Sequence, residues 1–110
     1  MQTGRLEKLL EFITNEPEDP FLKYALATEY LRINDTGKAL AYYEELISKH
    51  PNYVGTYYHL GKLYETLNRK DDAIKIYETG IKIAHEQRDN HAFSELQGVY
   101  NELADIDDDE

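Results

Sequence analysis

The side chains that could attack a substrate, hold a metal or cradle a phosphate are few in this chain, and their spacing is wrong for each task. Ser48 and Ser94 are the only serines, and neither sits in a nucleophile motif. There is no Cys, which excludes thiolate catalysis and a disulfide framework. His85, Glu86, Asp89 and His91 bring ligand-type side chains together, but they straddle an expected helix break and match no standard zinc spacing. Solvated surface residues explain them better. Gly37-Lys38 and Gly61-Lys62 lack the rest of a phosphate-binding loop. We therefore assign no catalytic, cofactor-binding or metal-ligating residues, expect no cofactor, and do not expect an enzyme.

Charge narrows the partners. The net charge is -10, and five of the last six residues are acidic, Asp105, Asp107, Asp108, Asp109 and Glu110. Phosphate backbones and anionic lipid need a positive footprint, so neither nucleic acid nor membrane is an expected partner. No apolar run approaches a membrane span, and Met1 to Leu10 lacks the basic-then-apolar layout of a signal peptide; a cytoplasmic location fits. Ten Tyr, against three Phe and no Trp, suit surfaces that are half buried or meet a partner. Asn34-Asp35-Thr36 has the form of a glycosylation triplet, but turn chemistry is the better reading.

The strongest signal is an internal repeat. Residues 20–53 align without a gap on 54–87, with eight identities: Tyr24/Tyr58, Leu26/Leu60, Tyr30/Tyr64, Asn34/Asn68, Ala39/Ala73, Tyr43/Tyr77, Glu44/Glu78 and Ile47/Ile81. About two would arise by chance from average residue usage. Within each repeat the identities fall at helical spacing in two runs. Asn34-Asp35-Thr36-Gly37 and Asn68-Arg69-Lys70-Asp71 supply turn and capping chemistry between those runs, and Pro51 breaks the chain after the first repeat.

On these residues the chain resembles the tetratricopeptide repeat family, whose period and helix–turn–helix unit it shares. The family signature of aromatic, Leu-Gly, Tyr, small, aromatic, small and Pro falls on Tyr57, Leu60-Gly61, Tyr64, Ala73, Tyr77 and Gly80, with His85 departing from Pro. In the first repeat it falls on Leu26-Ala27, Tyr30, Ala39, Tyr43 and Pro51, with Lys23 and Leu46 departing. The resemblance implies an all-α fold, a right-handed α–α superhelix or solenoid of about six antiparallel helices. Ala27/Gly61 and Ala39/Ala73 are expected where the two helices of a hairpin come closest, since bulk there would push the backbones apart.

The register extends to the flanks. Pro17 precedes Pro51 by one repeat length, so residues 3–15 read as the second helix of a degenerate repeat, with Thr3 as its N-cap. With about two residues inserted, Phe93, Leu96 and Tyr100 resemble another first helix, which closes the stack. The expected helices are 3–15, 20–33, 36–49, 53–67, 70–86 and 90–105. They make one domain over 1–106: a half-repeat at 3–17, repeats at 20–53 and 54–87, and a closing helix at 90–105. Residues 107–110 are expected as a disordered acidic tail.

The resemblance also places a site. First helices line the concave groove in this family, which maps Phe21, Tyr24, Thr28 and Arg32, beside Ala25 and Leu31, and then Tyr58, His59, Lys62 and Glu65, beside Thr66, onto it. Aromatics with Arg are residue types that carry interface energy. The local cations Arg32 and Lys62 suggest a segment bearing a carboxylate. Some members grip the C-terminal carboxylate of heat-shock chaperones with Lys and Asn side chains on these helices. The matching positions here hold Tyr24, Thr28 and His59, so that grip is not expected. The function read from the sequence is a non-catalytic scaffold that binds a peptide or protein segment in its groove. The alternative is a structural or self-associating fragment, for instance a homodimer, of a larger helical-repeat assembly.

Overall fold

The structure is a computed structural model that describes residues 4–108. Every element is a helix: α1 Gly4–Asn15, α2 Pro20–Arg32, α3 Thr36–Lys49, α4 Gly55–Thr66, α5 Lys70–Gln87 and α6 Asn90–Asp108. They cluster into two compact units that divide between Tyr53 and Val54, the seam between the two sequence repeats.

In the first unit α2 packs against both α1 and α3. The reason is visible in the sequence: α1 and α3 carry one apolar stripe each, whereas α2 buries residues on several sides. Leu6 and Leu9 come from α1, Leu22, Leu26 and Tyr30 from α2, and Ala39, Tyr43 and Leu46 from α3. In the second unit α5 packs against α4 and α6, and α4 also touches α6. Its buried residues include Tyr57, Leu60, Leu63 and Tyr64 of α4, Ala73, Tyr77 and Ala84 of α5, and Leu96 and Leu103 of α6.

Local chemistry sets the ends. Pro20 opens α2 behind Asp19, whose carboxylate accepts the backbone N–H of Phe21 at 2.8 Å and of Leu22 at 3.3 Å. Asp35 caps α3 through the N–H of Lys38, and Asp89 caps α6 through that of Ala92. Three helices end on a left-handed residue, Asn34 (φ 66°), Asn68 (φ 61°) and Arg88 (φ 58°). In each turn the following N–H bonds back five residues: Asp35 to the Tyr30 carbonyl, Arg69 to Tyr64 and Asp89 to Ala84, at 2.8–2.9 Å. Asn adopts this conformation at little cost, whereas Arg88 is strained in it. Arg88→Gly should raise stability by about 0.5–1 kcal/mol, because the strain relieved (about 1–2) exceeds the added unfolded-chain entropy (about 0.4–1). Urea titration would read this as a rise in midpoint with an unchanged slope.

The expected helices agree with the observed ones to within two residues, with one larger difference. α6 continues through Asp107 and Asp108, which were expected in a disordered tail. Nothing after Leu103 stops a helix, since neither Gly nor Pro follows it. Thr3, expected as a cap, and residues 109 and 110 lie outside the described residues.

Candidate peptide-binding face

α2 positions the first half of the candidate set. Phe21 is 57% exposed in the opening turn. Tyr24 is half-buried, its ring 6.4 Å from Tyr43 in an edge contact and 5.8 Å from Tyr53. The Thr28 hydroxyl bonds to the Tyr24 carbonyl at 3.0 Å and meets the Tyr43 hydroxyl at 3.2 Å. Burial raises the Tyr43 phenol above its ordinary pKa, while the Thr28 hydrogen bond opposes that rise.

Arg32 is engaged within the chain. Its Nη2 donates to Glu29 Oε2 at 2.6 Å and its Nε to Oε1 at 3.1 Å, a bidentate pair that holds the guanidinium pKa above its usual value. Glu29 itself is buried, with Arg5 of α1 3.5 Å from the same carboxylate. The guanidinium expected to attract a partner's carboxylate already has one.

α4 positions the second half. Tyr58 and His59 are half-buried neighbours, their rings 5.5 Å apart and nearly perpendicular. Burial lowers the His59 pKa, and the carboxylate of Glu95 on α6 opposes that shift. Tyr77 of α5 is fully buried and donates its hydroxyl to Glu65 Oε2 at 2.5 Å. Burial first, and then the bond to Glu65, push the Tyr77 phenol far above its ordinary pKa. Lys62 Nζ lies 4.0 Å from that same Glu65 oxygen. Lys62 is thus set against a carboxylate of its own helix turn, as Arg32 is.

Sequence reasoning missed the most unusual charge, at Lys23. It stands where the second repeat has Tyr57, it is 2% exposed, and its ammonium reaches Glu45 at 2.7 Å and Glu18 at 3.2 Å. Lys49 reaches the same two carboxylates at 3.5 and 4.0 Å. Burial lowers the Lys23 pKa, but the bonds to Glu45 and Glu18 outweigh it, and the ammonium is held above its usual range. Glu45 is held below the usual carboxylate range, chiefly by its bond to Lys23.

The partners are unequal, because the carboxylates reach solvent and the ammonium does not. Lys23→Met should therefore change stability near neutral pH by less than about 1 kcal/mol, since it replaces a buried cation by a stem of similar volume. Glu18→Gln with Glu45→Gln strands the ammonium and should fall at the low end of about 3–5 kcal/mol. The pH dependence follows the signs. Glu45 contributes stability above its unfolded value of about 4.3 and loses it as pH falls through the lower folded value; Lys23 contributes below about 10.4 and loses it as pH rises through the higher folded value. Thermal melts across pH should show a shallower acid limb in Lys23→Met than in wild type.

Two units of helical hairpins, with small residues at the closest approach and aromatics around them, define a helical-repeat protein. A family model described as tetratricopeptide repeat matches residues 30–96. A tetratricopeptide repeat domain protein from Salinibacter ruber, known from a crystal structure, is 50% identical over 80% of this chain and 98% of that one, with a TM-score of 0.77. A solution structure of a tetratricopeptide repeat domain protein from that organism is 53% identical over 79% of this chain and 88% of that one, with a TM-score of 0.76. The TPR2B domain of yeast Sti1, in a complex with pHsp70, shares the fold at 18% identity, with a TM-score of 0.82 over 92% of this chain and 81% of that one. No curated protein matches the chain. The chain belongs to the tetratricopeptide repeat family. The fold is in general that of a non-catalytic scaffold for protein–protein interaction. Among the described residues, no helix is long and apolar enough to cross a membrane.

Proposed function

We propose that this protein is a non-catalytic interaction scaffold that takes a peptide or protein segment on a first helix. The candidate contacts are Phe21, Tyr24 and Thr28 of α2 within the first unit, and Tyr58, His59 and Lys62 of α4 within the second. The observation that carries this reading is the different fate of the repeated tyrosines. Tyr43 and Tyr77 are wholly buried inside their hairpins, whereas Tyr24 and Tyr58, also equivalent by register, stay half open on the first helices. A half-open tyrosine gives rigid contact area at little entropic cost. The Sti1 domain, alike in fold, is seen in complex with pHsp70. Tyr24, Thr28 and His59 replace the side chains of the chaperone-carboxylate grip, so a different segment is the expected occupant.

Panning a random-peptide phage library against the folded protein tests the reading. Selected peptides should shift the amide signals of Tyr24, Tyr58 and Lys62 and lose affinity in Tyr58→Ala/Lys62→Ala. Shifts confined to Lys75, Glu78 and Lys82 of α5, or a library that yields no binder, would sink it.

One observation favours a second reading, self-association. Phe12 of α1 is 53% exposed, although its register equivalent Leu46 is wholly buried. Sedimentation as a clean monomer at high concentration would dismiss that reading.

A further inference from the structure

The second unit carries a charge pattern that the α4 residues alone do not reveal. The register that aligns Phe93, Leu96 and Tyr100 on Tyr57, Leu60 and Tyr64 also aligns Glu95 on His59, Gly98 on Lys62 and Glu102 on Thr66. Glu95, Gly98 and Glu102 recur at i, i+3 and i+7, so they share one face of α6. Its two carboxylates lie close enough to α4 and α5 for their charges to be felt there. α6 packs on α4, the charge of Glu95 reaches His59, and the charge of Glu102 reaches the Tyr77 phenol that bonds Glu65.

Between the two carboxylates the surface is open. Gly98 is exposed, and a methyl group placed on it would meet nothing within 4 Å. In α4 the corresponding place is filled by Lys62, whose charge is already set against Glu65. Glu65 is in turn held by the Tyr77 hydroxyl and lines a hollow with Lys70 and Asn68, so it is not the free anion of this face. Glu95 meets the exposed His91 at 3.6 Å. With Lys62 set against Glu65, the excess charge of this face is negative and comes from Glu95 and Glu102 of α6.

We propose that the second unit binds a cationic segment, a Lys- or Arg-bearing peptide whose charged head lies over Gly98 between Glu95 and Glu102 and whose stem rests on Tyr58 and His59. This rests on the reading of the first helices as the binding face, and it replaces the carboxylate-bearing segment suggested by Arg32 and Lys62. A guanidinium or ammonium gains twice in such a place, from the carboxylates and from the ring faces beside them. The bare Gly98 backbone lets the stem approach closely.

Three short labelled peptides test it, alternating Ala with Lys, with Glu and with Ser, titrated at physiological ionic strength with amide shifts recorded. The Lys peptide should bind, shifting Tyr58, His59 and Gly98. Its affinity should fall about tenfold or more in Glu95→Gln/Glu102→Gln and in Gly98→Leu, and stay within about twofold in Glu7→Gln/Glu11→Gln, which removes equal charge from α1. Circular dichroism would confirm that each variant is folded. Equal loss in both paired variants would mean attraction to the acidic chain as a whole and would overturn the proposal. Stronger binding of the Glu peptide at the same amides would overturn it too, while leaving the binding face standing. Binding of every peptide on α5 instead would remove the face itself.

Discussion

Leu46→Gly should destabilise the first unit by about 3–6 kcal/mol, and Lys23→Tyr added to it should restore about half of that loss. The figure sums about 2–5 for truncating a buried Leu and about 1 for Gly inside a helix. The rescue follows from comparing the repeats. In the second, Gly80 leaves room for Tyr57: a methyl group at Gly80 would lie 2.5 Å from the Tyr57 Cβ and 3.1 Å from Leu96. In the first, the same two register positions hold Leu46 and Lys23, both buried. Large-with-small has been exchanged for two middling side chains, and in a close-packed hairpin a Tyr set on a Leu would be crowded. Lys23→Tyr alone should then overpack against Leu46 and cost about 1–3 kcal/mol. A urea-denaturation cycle on the four proteins measures the coupling. Additive effects would mean that the two positions do not share a space.

Tyr77→Ala should cost about 3–5 kcal/mol, the range for emptying a buried aromatic site. Its ring also explains a glycine. A methyl group at Gly61 would fall 2.1 Å from Tyr77 Cε1 and 2.5 Å from Cζ, and the ring is tied at its hydroxyl to Glu65. Gly61→Ala gains about 1 kcal/mol of helix propensity but meets an overpacking cost of about 1–3, so it should lower stability. In a Tyr77→Leu background the obstacle is gone, and Gly61→Ala should become stabilising. That change of sign is the test; a loss in both backgrounds would show that the backbone, not the ring, sets the limit. Ala27 occupies the same register position in the first repeat. There the Tyr43 hydroxyl is drawn to Thr28, next to Ala27, whereas Tyr77 is drawn to Glu65, a full turn beyond Gly61.

These comparisons show which parts of the molecule could be read in advance. The helices were legible because Leu26, Tyr30, Ala39 and Tyr43 recur at fixed spacing, and the turns because Asn34 and Asn68 are residues that accept a left-handed backbone. The end of α6 was not legible, since a run of Asp signals solubility more strongly than it signals helix termination. Nor was the state of the candidate cations. Arg32 and Lys62 read as available because residues three positions apart on a helix can pair or stay apart with little difference in energy. The burial of Lys23 and Glu29 was not legible either, because charged side chains are rarely buried without partners, and the partners Glu18, Glu45 and Arg5 lie on other segments. The carboxylates of α6 gained a role only when α4 and α6 were seen to pack together.

The exchange at Lys23/Leu46 and Tyr57/Gly80 has a consequence for how such chains can grow. A crossover inside a turn, at Asn34 or Asn68, would join α2 to α5 or α4 to α3. The second product sets Tyr57 on Leu46, and the first leaves Lys23 facing the bare Gly80 backbone without Glu45. A crossover between Tyr53 and Val54 keeps every pair together. The hairpin, rather than the single helix, is the piece that duplication and recombination can copy without penalty.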